Sequence, residues 1–575
     1  MTKLVNDPKD FPRQLVEGFV EANPEFVRPV FGGVVRATQS RPGKVAVISG
    51  GGTGHYPAFT GWVGQGLLDG AVTGNIFSSP SASQAVSVAK AADQGGGVLI
   101  AFLNYAGDVL HFGQAAERLR AEGIDARTVV VTDDVASAPA DQRHMRRGIA
   151  GGLPVFKMVS AAAESGLSMD EVIEVFEAAN NAVYTFGVAF SGCTLPGAEH
   201  PLFEVEKGVM GVGLGVHGEP GIYETSLGSA DDVAGLLVDR LLEERPEGAD
   251  RVVAVLNGLG SAKYEELYVT YSSVSERLRS AGVEVVSGEV GEFMTSLDMG
   301  GVSLTLIWLN DAIEKYYFAE CDTAAYTRRA RLAAPLPADV TFNTGPEPIT
   351  VKTPGSPESQ QAARLIVDGL VAVSRAIEEN AEALGDLDAI AGDGDHGIGM
   401  TRGSSFAAQA AVELAEAGGG AQTVLVGAGD RWSENAGGAS GALWGAALTA
   451  AGNALGDRGA VDTAAQARAV RAFAESIQRL GRGQVGDKTM LDAIVPFVEA
   501  FEAAAGEGAG TVASWQRAAE AADRAAKATA DLTPRIGRAR VLSQRSVGHP
   551  DPGAVSFALA VRTMAELIAA VKTPA

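Results

Sequence analysis

The stretch Lys44–Phe59, KVAVISGGGTGHYPAF, joins a short run of β-branched residues to a glycine-rich loop. The same arrangement recurs through the N-terminal part of the chain, where loops such as NYAGD, DDVA and NGLGS follow candidate strands. Those further strands are Val98–Leu103, Thr128–Thr132, Val252–Leu256, Val283–Val286 and Leu304–Trp308. Strands that alternate with helical stretches predict an α/β fold, in two subdomains, with mostly parallel sheets. Ligands of such sheets bind beyond the carboxyl ends of the strands.

The C-terminal part has a different pattern. From Ser359 to Ser405, and again from Val461 onward, it is rich in alanine at helical spacing and almost lacks candidate strands. This predicts an all-helical domain, with Trp432 and Trp444 in its core. The region Arg331–Ser359 between the two parts holds six prolines, which is typical of a semi-rigid linker. We therefore predict an α/β domain over 1–332, a linker over 333–358 and a helical domain over 359–575.

Bulk composition narrows the class of protein. A chain of 575 residues is too long for a single core. The net charge of −24 argues against nucleic acid or an anionic membrane surface as a partner. The chain has only two cysteines, far apart and without metal-ligand spacing, and it starts with the polar stretch MTKLVNDPKDFPRQ. Both features predict a cytoplasmic protein. We expect no membrane span, because the sequence has no long apolar run.

Three aspartates lie close together in the segment LDAIAGDGDHGIGM: Asp388, Asp393 and Asp395. Carboxylates this close repel one another unless a cation binds them, and the intervening glycines let the backbone turn tightly. Oxygen ligands of this kind suit Mg²⁺, which completes its coordination with water and substrate phosphate. The segment predicts a metal–nucleotide site, and a solvated acidic turn is the alternative.

Candidate catalytic residues lie in loops of the α/β part. His217, in GVGLGVHGEPG, has small neighbours, and a neutral imidazole can add to a ketone to give a hemiaminal. His55 and Asp108 follow two different predicted strands, so they can share one crevice for acid–base work and for orienting a hydroxyl. The alternatives are a loop histidine bonded to backbone and a helix-initiating aspartate.

Taken together and in order, these motifs closely resemble those of the dihydroxyacetone kinase family. The single-chain form of that family joins an α/β ketose-binding domain to a helical-barrel nucleotide-binding domain. The resemblance covers essentially the whole chain and rests on SGGGTGH, NYAGD, GCTLPG, GLGVHGEPG, GDGDHG, GGASG, GDKTMLDA and GHPDPGA. It implies an ATP-dependent ketose kinase that binds two Mg²⁺ ions and forms a homodimer.

The resemblance also implies a role for each matching residue. His217 would hold the substrate carbonyl covalently, His55 would assist as acid–base, and Asp108 would lie near the hydroxyl to be phosphorylated. Further contacts to the ketose would come from the loop residues Gly52, Thr53 and Gly54. Magnesium would be held by Asp388, Asp393 and Asp395. The nucleotide would be bound by His396, Gly397, Ile398, Gly399, Ala439, Ser440, Gly481, Met490, Arg538, Asp551, Pro552 and Gly553.

Two departures from the family pattern concern the substrate. Leu103 occupies a position where the family usually has lysine, and Tyr56 replaces the acid of its His-Glu-Pro loop. Both positions are expected beside the crevice, so their change favours a four-carbon ketose, erythrulose of either hand, over dihydroxyacetone. Arg540 stands where the family usually has serine, and nothing follows from it.

Three other activities remain open at this point. Some relatives take phosphate from a phosphocarrier protein, and some fused relatives also cleave FAD to cyclic FMN. A non-catalytic ketose sensor is the third alternative, although a sensor has no use for the aspartate triad.

Overall fold

The computed structural model describes residues 3–571, except 220, 331–335, 337–339, 341, 343–349, 537–539 and 541–542. Contacts divide the chain into two units, Met1–Leu336 and Pro337–Ala575, and each is described by itself. Most of the predicted linker lies outside the described residues. The first helix of the second unit begins at Pro357, where the Ser356 side chain accepts a hydrogen bond from Ser359 N and caps the helix. The domain limits given above remain predictions.

The first unit contains strands and helices in alternation. Its strands are β1 (Val27–Val30), β2 (Gly33–Arg36), β3 (Ala46–Thr53), β4 (Gly64–Gln65), β5 (Gly70–Ile76), β6 (Val98–Leu103), β7 (Ala126–Val131), β8 (Val183–Ala189), β9 (Val209–Val212), β10 (Tyr223–Ser226), β11 (Arg251–Gly258), β12 (Glu284–Gly291), β13 (Gly301–Trp308), β14 (Cys321–Thr323) and β15 (Thr327–Arg328). Its α-helices are α1 (Phe11–Ala22), α2 (Ala82–Ala92), α3 (Ala106–Ala121), α4 (Gly152–Ser165), α5 (Met169–Ala182), α6 (Ala230–Leu242), α7 (Tyr264–Ser280) and α8 (Glu314–Tyr317).

Two large sheets form the framework of this unit. The first has the order β1-β2-β5-β3-β6-β7, and its strands β5, β3, β6 and β7 are parallel, as predicted. The second has the order β10-β9-β8-β13-β11-β12, and its only parallel pair is β11–β12. The expectation of mostly parallel sheets is therefore wrong for the second sheet. The connection from Gly291 to Gly301 holds no helix, so β13 returns antiparallel beside β11.

Both sheets are buried on two faces, which explains their nearly continuous apolar strands. In β6, alternate side chains from Val98 to Phe102 pack with α2 and α3, and those from Leu99 to Leu103 pack with α4 and α5. In β11 the side chains likewise divide between the α4–α5 core and a separate core with α6 and α7. Helices α4 and α5 thus form a layer between the two sheets and fix one sheet against the other.

The second unit is helical throughout its described residues. Its helices are α9 (Pro357–Glu379), α10 (Ala381–Ala389), α11 (His396–Glu416), α12 (Ala421–Ala436), α13 (Gly438–Leu455), α14 (Thr463–Gly481), α15 (Leu491–Gly506), α16 (Thr511–Ala528), α17 (Ser543–Ser546) and α18 (Pro552–Val571). Helices α9, α11, α12, α13, α14, α15, α16 and α18 pack each against the next, and α18 packs back against α9. This closed ring confirms the predicted helical barrel. Trp432 and Trp444 stack within its core at 4.8 Å between ring centroids, also as predicted.

The helix α18 is long and apolar enough to cross a membrane by length and composition. It nevertheless carries Arg562 and Glu566, and half of its most apolar window is buried inside the unit. Phe557 and Ile568 are among its buried residues. These features are those of a core helix that closes the barrel.

A buried network of four charged side chains supports the first sheet: Arg36, Lys44, Asp69 and Glu164. Lys44 Nζ lies 2.5 Å from Asp69 Oδ2, which also accepts the Val47 amide at 2.8 Å. Arg36 bridges Asp69 and Glu164. Because Lys44 is only 1% exposed, these partners replace the hydrogen bonds that water would give its ammonium group.

We predict that Asp69→Ala lowers the free energy of unfolding of the first unit by about 3 kcal/mol, since it leaves the Lys44 ammonium buried beside an empty position. Scanning calorimetry and urea unfolding measure the effect. The control is Glu17→Ala, which removes an exposed carboxylate paired with Arg13 and should leave the transition nearly unchanged. Equal transitions for the two variants would contradict the prediction.

Candidate active site

The first unit brings together His55, which follows β3, and His217, which follows β9. Their Nε2 atoms are 3.0 Å apart, although the residues belong to loops of different sheets. Phe77 stacks on the His55 ring at 4.8 Å and lies edge-on to His217, and Tyr105 lies edge-on to His217 at 4.9 Å. Aromatic rings therefore flank the pair, in which His55 is buried and the His217 side chain is 24% exposed.

Hydrogen-bond partners fix the protons on both imidazoles. His55 Nδ1 lies 2.8 Å from the carbonyl oxygen of Thr295, which only accepts, so His55 Nδ1 carries a proton. His217 Nδ1 lies 3.0 Å from Glu219 Oε1, and the pKa of Glu219 is lowered to about 2, so this nitrogen is also protonated. A shared proton would join the two Nε2 atoms, because two lone pairs would repel at this distance.

Burial keeps the His55 imidazole in its neutral form. Burial, with the neighbouring His217 charge, lowers the pKa of His55 to about 3, so His55 is neutral when alone. The Glu219 carboxylate lies 3.0 Å from His217 Nδ1, where it would balance a positive charge that forms on this ring. The two histidines are thus an arrangement that can release one proton to an incoming group and leave one imidazole nitrogen unprotonated.

Asp108 lies in the first turn of α3 and is buried. Burial raises the pKa of its carboxyl to about 6, while Ser79 and the His217 charge act in the opposite direction. Its Oδ1 atom has no hydrogen-bond partner, and neither do the buried hydroxyls of Tyr105 and Thr53. Buried polar groups without partners are costly unless a ligand supplies them, so these three groups suit a small polyhydroxy molecule.

The glycine loop after β3 has a packing role besides any contact with a ligand. A Cβ atom on Gly52 would lie 2.5 Å from Ser78 N, and Gly54 has a φ of +101°. Both positions therefore require glycine for the backbone itself. The predicted contacts of Gly52, Thr53 and Gly54 with a substrate stay predictions.

The two departures that were expected beside the crevice differ in position. Tyr56 follows His55 directly and its ring is 46% exposed, near Phe19. Leu103, in contrast, is buried in the α4–α5 core, where Gly148 and Gly152 contact its side chain. The expectation for Leu103 is wrong. Side chains alternate between the two faces of β6, and Leu103 lies on the face that packs with α4 and α5.

The second unit brings together Asp388, Asp393 and Asp395, each with a carboxylate oxygen within 4.8 Å of the others. Asp388 closes α10 and accepts the Gly394 amide at 2.9 Å, while Asp395 directly precedes α11. Gly394 has a φ of +79°, so glycine permits the turn that gathers the carboxylates. Three carboxylate oxygens at this spacing fit a hard divalent cation such as Mg²⁺.

The predicted nucleotide residues lie at the ends of several helices. His396 at the start of α11 contacts Ser556 of α18, with 3.0 Å between His396 Nε2 and Ser556 Oγ. A Cβ on Gly399 would lie 3.4 Å from the Ala436 carbonyl, beside the start of α13. Helix N-termini present free amides and partial positive charge, so their convergence suits a phosphate-bearing ligand.

Other members of the predicted set join this region. A Cβ on Gly553 would lie 3.3 Å from Met490, and one on Gly481 would lie 3.6 Å from Leu443 of α13. Asp551 is partly buried and accepts the Ala554 amide at 2.8 Å, and desolvation raises its pKa to about 7. The remaining described members lie in the first turns of helices. Gly397 lies against the Ala381 carbonyl, and the next residue, Ile398, is exposed. Ala439 and Ser440 lie in the first turn of α13, and Pro552 lies in the first turn of α18. Arg538 lies outside the described residues.

Sequence reasoning missed four neighbours of the histidine pair. They are Phe77, Tyr105, Glu219 and Thr295. Tyr105 and Glu219 lie within motifs quoted above, so their proximity was a usable signal. Phe77 and Thr295 come from distant segments, and only the fold brings them near.

Comparisons with known proteins agree with this division. Residues 17–325 match the Dak1 domain and residues 390–566 match the DAK2 domain. The chain is 50% identical to a D-erythrulose kinase and 51% identical to an L-erythrulose 1-kinase, both of Mycolicibacterium smegmatis. These alignments cover 99% and 98% of this chain and 99% of each relative. The crystal structure of dihydroxyacetone kinase from C. freundii with AMP-PNP and Mg²⁺ is 27% identical, with a TM-score of 0.59, over 98% of this chain and 99% of that one.

We predict that Asp393→Asn and Asp395→Asn each weaken divalent-cation binding about 10-fold or more, because each removes a charged ligand oxygen. Electron paramagnetic resonance of bound Mn²⁺ measures affinity and the number of ions. Asp386→Asn, an exposed aspartate on the same helix as Asp388, is the matched control. Unchanged Mn²⁺ affinity in both triad variants would overturn this assignment.

Proposed function

The chain belongs to the dihydroxyacetone kinase family, and from this premise we propose that it transfers the terminal phosphate of ATP to erythrulose. Its activity is ATP-dependent phosphorylation of a short-chain ketose, in keeping with relatives about 50% identical over the full length. The observation that supports the residue roles best is the contact of 3.0 Å between His55 Nε2 and His217 Nε2. A ketone needs a free imidazole nitrogen and a proton, and this pair offers both.

Carbonyl capture proceeds through the two histidines. The shared proton moves to His55, which frees Nε2 of His217 to bond to the carbonyl carbon. The π electrons of the C=O bond pass to oxygen, and that oxygen takes the proton from His55 Nε2. The product is a hemiaminal on His217 with a neutral His55. Polyols such as glycerol have no carbonyl and would be excluded.

Asp108 would act on the hydroxyl that receives the phosphate. Its unpartnered Oδ1 can accept a hydrogen bond from that hydroxyl, and a carboxylate with a pKa of about 6 is ionised at neutral pH. It can therefore orient the hydroxyl and take its proton as the new O–P bond forms. Tyr105 and Thr53 offer further hydroxyls to the same ligand.

The helical unit would bind the nucleotide. Asp388, Asp393 and Asp395 would hold Mg²⁺, as two ions on the family resemblance, and the cations would neutralise charge on the transferring phosphoryl group. The starts of α11, α13 and α18 would direct their amides to the phosphates. Because both domains belong to one chain, ATP itself is favoured as donor over a phosphocarrier protein.

For assembly and location, we expect a cytoplasmic homodimer, on the family resemblance alone. Sedimentation velocity tests the dimer.

The test of substrate is kcat/KM for D-erythrulose, L-erythrulose and dihydroxyacetone with Mg²⁺ and ATP and without any carrier protein. We expect one erythrulose enantiomer to exceed dihydroxyacetone, and the two mycobacterial relatives, which are named for opposite hands, make both worth assaying. A clear preference for dihydroxyacetone would refute the erythrulose assignment, and a requirement for a carrier would refute direct use of ATP.

The matched variant in this assay is His217→Ala, which should abolish ketose phosphorylation because it removes the nucleophile. FAD cleavage is measured in parallel, since a lyase that depends on the aspartate triad would survive this substitution. Retained ketose kinase activity in His217→Ala would contradict covalent capture.

The pKa of Asp108 predicts a pH dependence. The carboxylate is the active form, so kcat/KM for the ketose should fall about tenfold per pH unit as pH drops below about 6. The profile is recorded at saturating Mg²⁺ and ATP, because Asp551 in the nucleotide region has a pKa of about 7. The slow residual activity of Asp108→Asn should not show this fall in kcat/KM below about pH 6. If the variant still shows the fall, another group causes it.

A further inference from the structure

We infer that Glu219 is the positioning residue of this site: it holds the His217 ring with a proton on Nδ1, so that Nε2 faces the substrate carbonyl. The inference rests on the proposed capture of a ketose by His217. Glu219, the acidic residue of the GLGVHGEPG motif, would contact the nucleophile His217 and not the substrate.

Both oxygens of the Glu219 carboxylate are used on His217. Oε1 lies 3.0 Å from His217 Nδ1, and Oε2 accepts the His217 backbone amide at 2.9 Å. Gly218 between them has a φ of +83°, which allows the chain to fold back on itself over two residues. A side chain clamped through its ring and its own amide has little freedom to turn, so Nε2 is held at 3.0 Å from His55.

Arg147 lies beside the Glu219 carboxylate and favours its charged form. Its guanidinium is anchored on Asp134 Oδ2 at 2.8 Å and on the Gly213 carbonyl at 3.3 Å. A Cβ on Gly215 would lie 2.1 Å from Glu219 Oε2 and 2.7 Å from Arg147 Nη1, so both charged groups flank one small space. The arginine charge therefore stands beside the carboxylate and favours its ionised form.

Glu219 matters at each stage of the capture. Before reaction it accepts from Nδ1, so the shared proton is the one on Nε2, which His55 can remove. After the N–C bond has formed, the substituted imidazole carries a positive charge, and the same carboxylate balances it. Without this acceptor the ring could place its single neutral proton on Nε2 and its lone pair on Nδ1, and the nucleophilic nitrogen would then point away from the ketone.

The test compares wild-type enzyme with Glu219→Gln, using a ketose labelled with ¹³C at its carbonyl. Wild-type enzyme should convert the carbonyl signal to that of a tetrahedral carbon. Glu219→Gln should lose most of this adduct, and kcat/KM should fall about 100-fold, the usual effect of a misplaced reacting group. Because the Gln amide can donate to Nδ1 as well as accept from it, ring ¹⁵N signals of His217 without substrate should change from a proton held on Nδ1 to a mixture of both tautomers, which a purely structural role would not cause.

Three further variants complete the design. Glu224→Gln, on the exposed strand β10, is the charge-matched control and should behave as wild type. Glu219→Asp keeps the charge and should recover part of the adduct. Gly215→Ala should mimic Glu219→Gln by displacing the carboxylate, and it keeps the test available if Glu219→Gln does not fold.

The outcomes separate this inference from the proposed function. If wild-type enzyme forms no adduct, covalent capture itself fails. If wild-type enzyme forms the adduct and folded Glu219→Gln forms as much, with unchanged ¹⁵N signals, capture stands and the role of Glu219 is overturned.

Discussion

The contact of two imidazole nitrogens 3.0 Å apart is the interaction on which the proposed site of the first unit depends. His55 comes from a loop of the first sheet and His217 from a loop of the second, so the contact exists only if the sheets are fixed against each other. The α4–α5 layer provides that rigidity, because it shares one core with both sheets. A packed interior resists small displacements, and the distance between the histidines is therefore a property of the whole unit.

The surroundings of the pair set where its charge lies. Burial lowers the pKa of His55 to about 3, while contact with His217 lowers that of Glu219 to about 2. Burial acts in the opposite direction on the Asp108 carboxyl, whose pKa rises to about 6. The environment thus makes His55 a neutral base, Glu219 a permanent anion and Asp108 a carboxyl group that titrates near pH 6. Such a separation is found where acid and base roles are divided between residues.

Much of this could be predicted from the sequence, and the failures have physical causes. Local patterns located β3, β6, β7, β11, β12 and β13, the helical character of the second unit and the aspartate triad, because those depend on residues near one another in the chain. The direction of β13 and the burial of Leu103 were missed, since each depends on which face or neighbour a strand meets in the folded unit. The contact between His55 and His217 likewise depends on packing between distant segments, which no local motif encodes.

Charge makes the cation and the nucleotide depend on each other in the second unit. Three carboxylates within 4.8 Å repel an approaching triphosphate, and the net charge of −24 adds to this repulsion. The helix N-termini near His396 attract phosphate, but each supplies only about half a unit of charge. A divalent cation held by the triad reverses the local sign, and the phosphates in turn supply ligands that Mg²⁺ lacks in the protein. Metal and nucleotide should therefore bind together far more tightly than either binds alone.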